Sequence, residues 1–243
     1  MQKKIFILIT GCIIAFTSFS QTTFISGGKI EFERHINIWA SLKGEFAEKL
    51  KESTAQYKTD YFNYTFDKNK AIYQPGRESN SKVAFFGAAP SNDNIVYSNF
   101  DNGSSISQKN VFEKTYLVED SLRNATWKIT DDFREIAGFN CRRATTIIMD
   151  SVFVVAFYTD EIMISGGPES MNGLPGMILG LVINRLHTTW YATKVSVTDY
   201  NPKLITPPVK GIKVDNKKLF ETIYSTFSKW GVDAAIAMWS VMI

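Results

Sequence analysis

Two histidines and two cysteines bound the chemistry open to this chain. His35 and His187 show no His-x-x-x-His spacing, and no cysteine pair accompanies them, so local spacing assembles no metal site. Cys141 and His187 could be imagined as nucleophile and base. The surroundings of Cys141 (Phe139-Asn140 before it, Ala144 after) instead fit a buried, unactivated thiol. Asp131-Asp132 and Asp160-Glu161 are carboxylate neighbours of the sort glycosidases use, yet adjacent acids in turns are ordinarily solvated caps. No Gly-x-Ser-x-Gly elbow, Walker loop or dinucleotide fingerprint occurs. No catalytic residue, metal or cofactor is therefore assigned.

Aromatic residues make up 14% of the chain and are its other chemical resource. Trp127, Tyr158, Trp190 and Tyr191 fall on expected strands, where rings could face a sugar or a lipid chain. Filling a core is the competing use of such large rings.

The most unusual stretch runs from Gly166 to Ile178, with Gly167-Pro168 and Gly173-Leu174-Pro175-Gly176 as two breaks. Pro175 presets φ for the second position of a turn, and Gly176 supplies the positive φ that a type II turn needs next. Met171 and Leu174 are apolar residues that a purely solvated loop would not need. The expectation is a rigid double turn, structural in role, packed on a sheet and followed by a strand over 177–183.

Around these residues the chain reads as short alternating segments separated by turn signals. Strands are expected at 29–33, 61–66, 71–73, 95–100, 111–118, 126–129, 144–149, 152–158 and 187–197, with a hairpin turn over 67–70 and another turn at Asp101-Asn102-Gly103. Two helices interrupt. Trp39, Leu42, Phe46 and Leu50 recur at helical spacing, as do Leu219, Ile223, Phe227 and Trp230 within 215–230, with Gly231 just past the end. The proline-rich stretch 201–208 should carry the chain from the sheet to the last helix. Strand-length segments without intervening helices favour antiparallel meanders. The expected fold class is mainly β (α+β), a curved antiparallel sheet, partial barrel or bowl, with two flanking helices.

Lys3-Lys4, the apolar run 5–16 and the small, polar segment 17–20 form the pattern of a secretory leader, cleaved after Ser20. Ile9-Thr10-Gly11-Cys12 also resembles a lipobox, which would make the chain a lipoprotein. The apolar run continuing past Cys12 favours ordinary cleavage. Residues 21–243 then form a single β-rich domain, 243 − 20 = 223 residues long, with Cys141 as its lone thiol. Losing Lys3 and Lys4 lowers the formal charge from +3 to +1, which gives no bias toward nucleic acid or an anionic membrane. No transmembrane segment is expected in the mature part.

The Gly166–Ile178 segment resembles the signature of the GLPGLI family of exported Bacteroidetes proteins. Met177 stands where that motif has its second leucine. The resemblance extends to Trp127-Lys128-Ile129, Gly138-Phe139-Asn140-Cys141 with Ala144, and Phe157-Tyr158-Thr159. Gly180 and the apolar C-terminal tail depart from the pattern. A similar module is fused N-terminally to a flavobacterial peptide-N-glycosidase, outside its catalytic part. The resemblance implies a periplasmic, outer-membrane-associated or secreted protein and carries over no catalytic residue. Three readings follow: a non-catalytic envelope module binding a partner protein or a glycan or lipid ligand; a glycan-binding module supporting carbohydrate-active enzymes; and an enzyme of unrecognised type.

Overall fold

The computed structural model describes residues 24–42, 44–45, 47–79, 92–230 and 233–243. The expected leader with Cys12, the helix positions Lys43 and Phe46, and Gly231 lie outside the described residues. Twelve strands form one sheet: β1 (Gly27–Asn37), β2 (Tyr57–Asp67), β3 (Lys70–Pro75), β4 (Ile95–Asn99), β5 (Ser104–Val111), β6 (Lys114–Ser121), β7 (Lys128–Ile136), β8 (Phe139–Ile148), β9 (Val152–Thr159), β10 (Met177–Ile183), β11 (Thr188–Ser196) and β12 (Ile212–Val214). Their spatial order is β12-β6-β5-β4-β3-β2-β1-β11-β10-β9-β8-β7. Every neighbouring pair is antiparallel except β12 with β6. The sheet is curved but not closed, as a long twisted sheet must be to keep its strands paired. The expected antiparallel, curved architecture is the one observed.

Two meanders, β1 to β6 and β7 to β11, join in the middle where β1 pairs with β11 from Lys29↔Ser196 to Ile36↔Thr188. Alternation makes that seam possible: Ile30, Phe32 and Arg34 are buried on one face of β1 while Lys29, Glu31 and Glu33 stay partly solvated. The inward face carries the larger core, which includes Phe32, Phe62, Phe66, Tyr73, Met177 and Leu181. A second core lies where α3 (Asn216–Phe227) and α4 (Asp233–Met242) cover Val111, Tyr116 and Val118 of β5 and β6. Leu219, Ile223 and Phe227 are the buried stripe of α3, as their spacing predicts, and the Asp215 side chain caps its start by accepting from the Lys218 amide at 2.6 Å.

The expected elements need correction in several places. The helix over Trp39–Leu50 is two short pieces, α1 (Ile38–Ser41) and α2 (Ala47–Ser53), because Leu42 turns extended and the poor helix former Gly44 follows. The strand expected at 111–118 is a hairpin. Its turn is Phe112-Glu113, with Phe112 at a φ of 54°, and no glycine, proline or asparagine marks it. The strand expected at 126–129 starts at Lys128 and runs on to Ile136 through an irregularity between Ile129 and Phe133. The apolar tail forms α4, and the chain after the proline-rich stretch adds β12 to the far edge before entering α3. Among the described residues no helix is long and apolar enough to cross a membrane.

Candidate binding cleft

The Gly166–Ile178 segment is embedded in the core. Met171 and Leu174 are each 1% exposed, within the cluster formed by the inner faces of the central strands. The Gly176 amide donates to the Leu174 carbonyl at 2.8 Å, a three-residue turn centred on Pro175 and tighter than the expected type II turn. Gly176 does hold a positive φ, 145°, and a Cβ there would lie 2.0 Å from the Thr159 carbonyl oxygen. The first break is a turn in which the Met171 amide donates to Pro168 at 3.2 Å. Trp127 secures the segment from outside: its indole N–H donates to the Asn172 carbonyl at 2.9 Å.

Between these two breaks the chain places Glu169, buried and at a φ of 55°. A side chain held in that backbone region is strained and must be over-determined by its contacts. Asn94 donates to Glu169 Oε2 at 2.9 Å, the Tyr73 hydroxyl donates to Oε1 at 3.4 Å, and an Arg34 nitrogen lies 3.7 Å from Oε1. Arg34 is itself 5% exposed, pairs with Asp60 at 2.7 Å and sits 4.7 Å over the Phe62 ring. Burial works to raise the Asp60 carboxyl, but Arg34, with Lys58 beside it, outweighs burial and holds that carboxyl below its usual range. Trp190 completes the cluster by donating to the Tyr73 hydroxyl at 3.2 Å.

On the β4–β6 side of this network a polar cleft of about 260 Å³ opens. Ser105, Ser107 and Lys109 share one face of β5 by two-residue alternation. Ser98 lies opposite Ser105 on β4, and Asp120 opposite it on β6. Arg123, Ser170, Asn172, Asn216 of α3 and Met242 of α4 also line it. Lys109 is 3% exposed, and burial pushes its ammonium down to about 8, with Glu169 opposing and Arg123 assisting that shift. Lys109 donates to the Val241 carbonyl at 2.6 Å and Arg123 to that of Met242 at 2.5 Å, cations at the carbonyl end of α4 where the helix dipole favours them. Asp120 accepts from the Asn216 amide at 3.0 Å and from its side chain at 2.9 Å. These bonds and those from Ser121 hold its carboxyl below its usual range against the effect of burial.

The aromatic residues singled out in the sequence do not come together at this cleft. Tyr158 and Trp190 are 5% and 3% exposed and belong to the core, while Trp127 and Tyr191 pack partly buried against it. Only Trp127 bears on the cleft, through Asn172. Cys141 is fully buried with its thiol pushed up to about 12, chiefly by burial. His35 lies on β1 between Thr59 and Glu33, each at 3.2 Å, and His187 caps a 3-10 turn. Among the described residues no group of three His, Cys, Asp or Glu side chains could hold a metal ion. Arg34, Lys109 and Glu169 are the residues sequence reasoning missed.

The fold and its embedded loop define a class of open, curved β-modules, and comparisons give that class a family. The model for the N-terminal domain of N-glycanase peptide matches residues 90–217, more than half of the chain. The chain belongs to this family. No curated protein matches it. Among solved structures it is similar to PNGF-II in a P21 crystal form, with a TM-score of 0.54 at 14% identity over 83% of this chain. The C2 form of PNGF-II gives 0.53 at 15% identity over 82%. This chain spans about a third of those structures, 34% and 33% of their lengths.

Proposed function

We propose that this chain is an exported cell-envelope module that binds a ligand or partner rather than catalysing a reaction, and that the β4–β6 cleft is its binding site. The observation that carries this reading is the cleft's lining, where hydroxyl, amide, cationic and carboxylate groups converge on one concavity. Cys141, the one described thiol, is buried and unactivated, which supports a binding role. A glycan is the favoured ligand class: the family takes its description from an N-glycanase, and serine and asparagine side chains pair readily with sugar hydroxyls. Relation to an N-terminal domain also favours a module that assists chemistry done elsewhere. Export follows from the Lys3-Lys4 leader, with a mature start near Gln21.

Two measurements test this. N-terminal sequencing of the native protein should begin near Gln21; a start at Met1 refutes export, and a lipid-modified Cys12 places the protein among lipoproteins. A glycan array probed with the mature protein should show binding that Ser98→Trp, which fills the cleft, abolishes without lowering the melting temperature. Binding that persists in Ser98→Trp refutes the cleft as the site.

A further inference from the structure

The charges around the cleft are unequal in what they still offer. Asp120 is satisfied on both oxygens by Asn216 and Ser121. Glu169 is engaged by Asn94, Tyr73 and Arg34. The cations are not saturated. Lys109 has three N–H donors and uses one, on Val241. Arg123 has five and uses two, on Met242 and Ser170. Ser107, 6% exposed, presents its hydroxyl to the cleft it lines. An inward lysine on β5 is costly to bury, and one helix carbonyl leaves most of its hydrogen-bonding capacity unmet.

We infer that the ligand is a small hydroxylated acid, an acidic sugar of the uronic type, whose carboxylate lies against Lys109 and Arg123 while its hydroxyls meet the serines of β4 and β5. This rests on the reading of the cleft as a ligand site and specifies its ligand. Paired ammonium and guanidinium donors suit a carboxylate, which takes two or more charge-assisted bonds in a partly desolvated site. The row of Ser98, Ser105 and Ser107 suits the ring hydroxyls. The cleft carries no aromatic side chain, so hydrogen bonds and charge, not ring stacking, set affinity. Its volume of about 260 Å³ is just under the roughly 300–1,000 Å³ usual for small-molecule sites, which limits the bound group to about one sugar unit.

Calorimetric titration of the mature protein at pH 7 with galacturonate and with galactose tests the inference. Galacturonate should bind at least about tenfold more tightly than galactose, the worth of one charge-assisted contact. Lys109→Met and Arg123→Gln should each weaken galacturonate at least about tenfold, and by more than they weaken galactose, in proteins that still melt cooperatively. Equal affinity for the two sugars, unaltered in both variants, overturns the acidic ligand. So does a lack of galacturonate binding. If Ser98→Trp then abolishes capture of neutral glycans, the cleft stands and only the acid is wrong. Galacturonate binding that survives Ser98→Trp and both charge variants overturns the cleft as well.

Discussion

Replacing Gly176 with alanine should be among the most damaging single-methyl additions in the domain. The added Cβ would lie 2.0 Å from the Thr159 carbonyl oxygen, 2.8 Å from its carbon and 2.9 Å from the Asp160 Cα. All three are backbone atoms, so no rotamer change relieves the contact. The neighbouring Met177↔Thr159 pair opens the β9–β10 ladder, and any shift must be taken up there. Backbone strain of about 1–3 kcal/mol and overpacking of about 1–3 kcal/mol together give about 2–6 kcal/mol. Gly138→Ala is the control: its φ is 83° but nothing lies within 4 Å, so only about 1–2 kcal/mol is expected. Leu174→Ala, which empties a site 1% exposed, should cost about 2–5 kcal/mol. Urea unfolding followed by tryptophan fluorescence reads all three. With a slope of about 3 kcal/mol/M, Gly176→Ala should lower the midpoint by roughly 0.7–2 M. If Gly176→Ala and Leu174→Ala unfold at the wild-type midpoint while binding disappears, the segment is a recognition loop and the structural role is refuted.

Glu169 and Arg34 face each other in the buried network and should couple. Glu169→Ala leaves Asp60 as the remaining counter-charge of Arg34, and a double-mutant cycle with Arg34→Met should give a coupling above about 1 kcal/mol; additive losses would show that the two do not interact. Lys109 sets a pH dependence: with its folded value lowered from 10.5 to about 8, the unfolded chain binds the extra proton between those values. Stability should therefore rise by up to about 3 kcal/mol from pH 8 toward 10.5, and a Lys109→Met protein without that rise confirms the source, whereas an identical profile refutes it. The Cys141 thiol, buried and pushed up to about 12, should resist iodoacetamide at pH 8 in the folded mature protein and react once it is unfolded; rapid native labelling contradicts its burial.

Strands such as β1 were legible because they alternate apolar and polar residues, and the turn at 67–70 carried ordinary turn chemistry. The hairpin at Phe112-Glu113 was hidden because it lacks those residues. Helix α4 was hidden for a different reason. Asp233–Met242 is apolar nearly all round, so it shows no stripe, and only packing between α3 and the sheet gives it a place.

The site was less legible than the fold. Met171 and Leu174 announced their burial by being apolar within a turn, and both are buried. Arg34 and Lys109 left a subtler signal. Arg34 continues the inward phase of Ile30 and Phe32, and Lys109 shares its phase with Val111, so each is a charge where alternation calls for an apolar residue. Such a phase violation marks a buried charge that needs a partner. The partners, Glu169 for Arg34 and the carbonyl end of α4 for Lys109, come from segments 135 and 132 residues away, which no local pattern reveals. Of the aromatic residues singled out, Tyr158 and Trp190 are taken up by the core, the competing use of such rings.

The most direct test of a binding cleft between β4–β6 and the Glu169 segment is an amide chemical-shift titration of the isotope-labelled mature protein with galacturonate. Saturable shifts are expected at Ser105, Ser107, Lys109, Arg123 and Asn172, with the β7–β9 amides unmoved. Shifts confined to β7–β9, or none at millimolar sugar, would contradict a ligand site in this cleft.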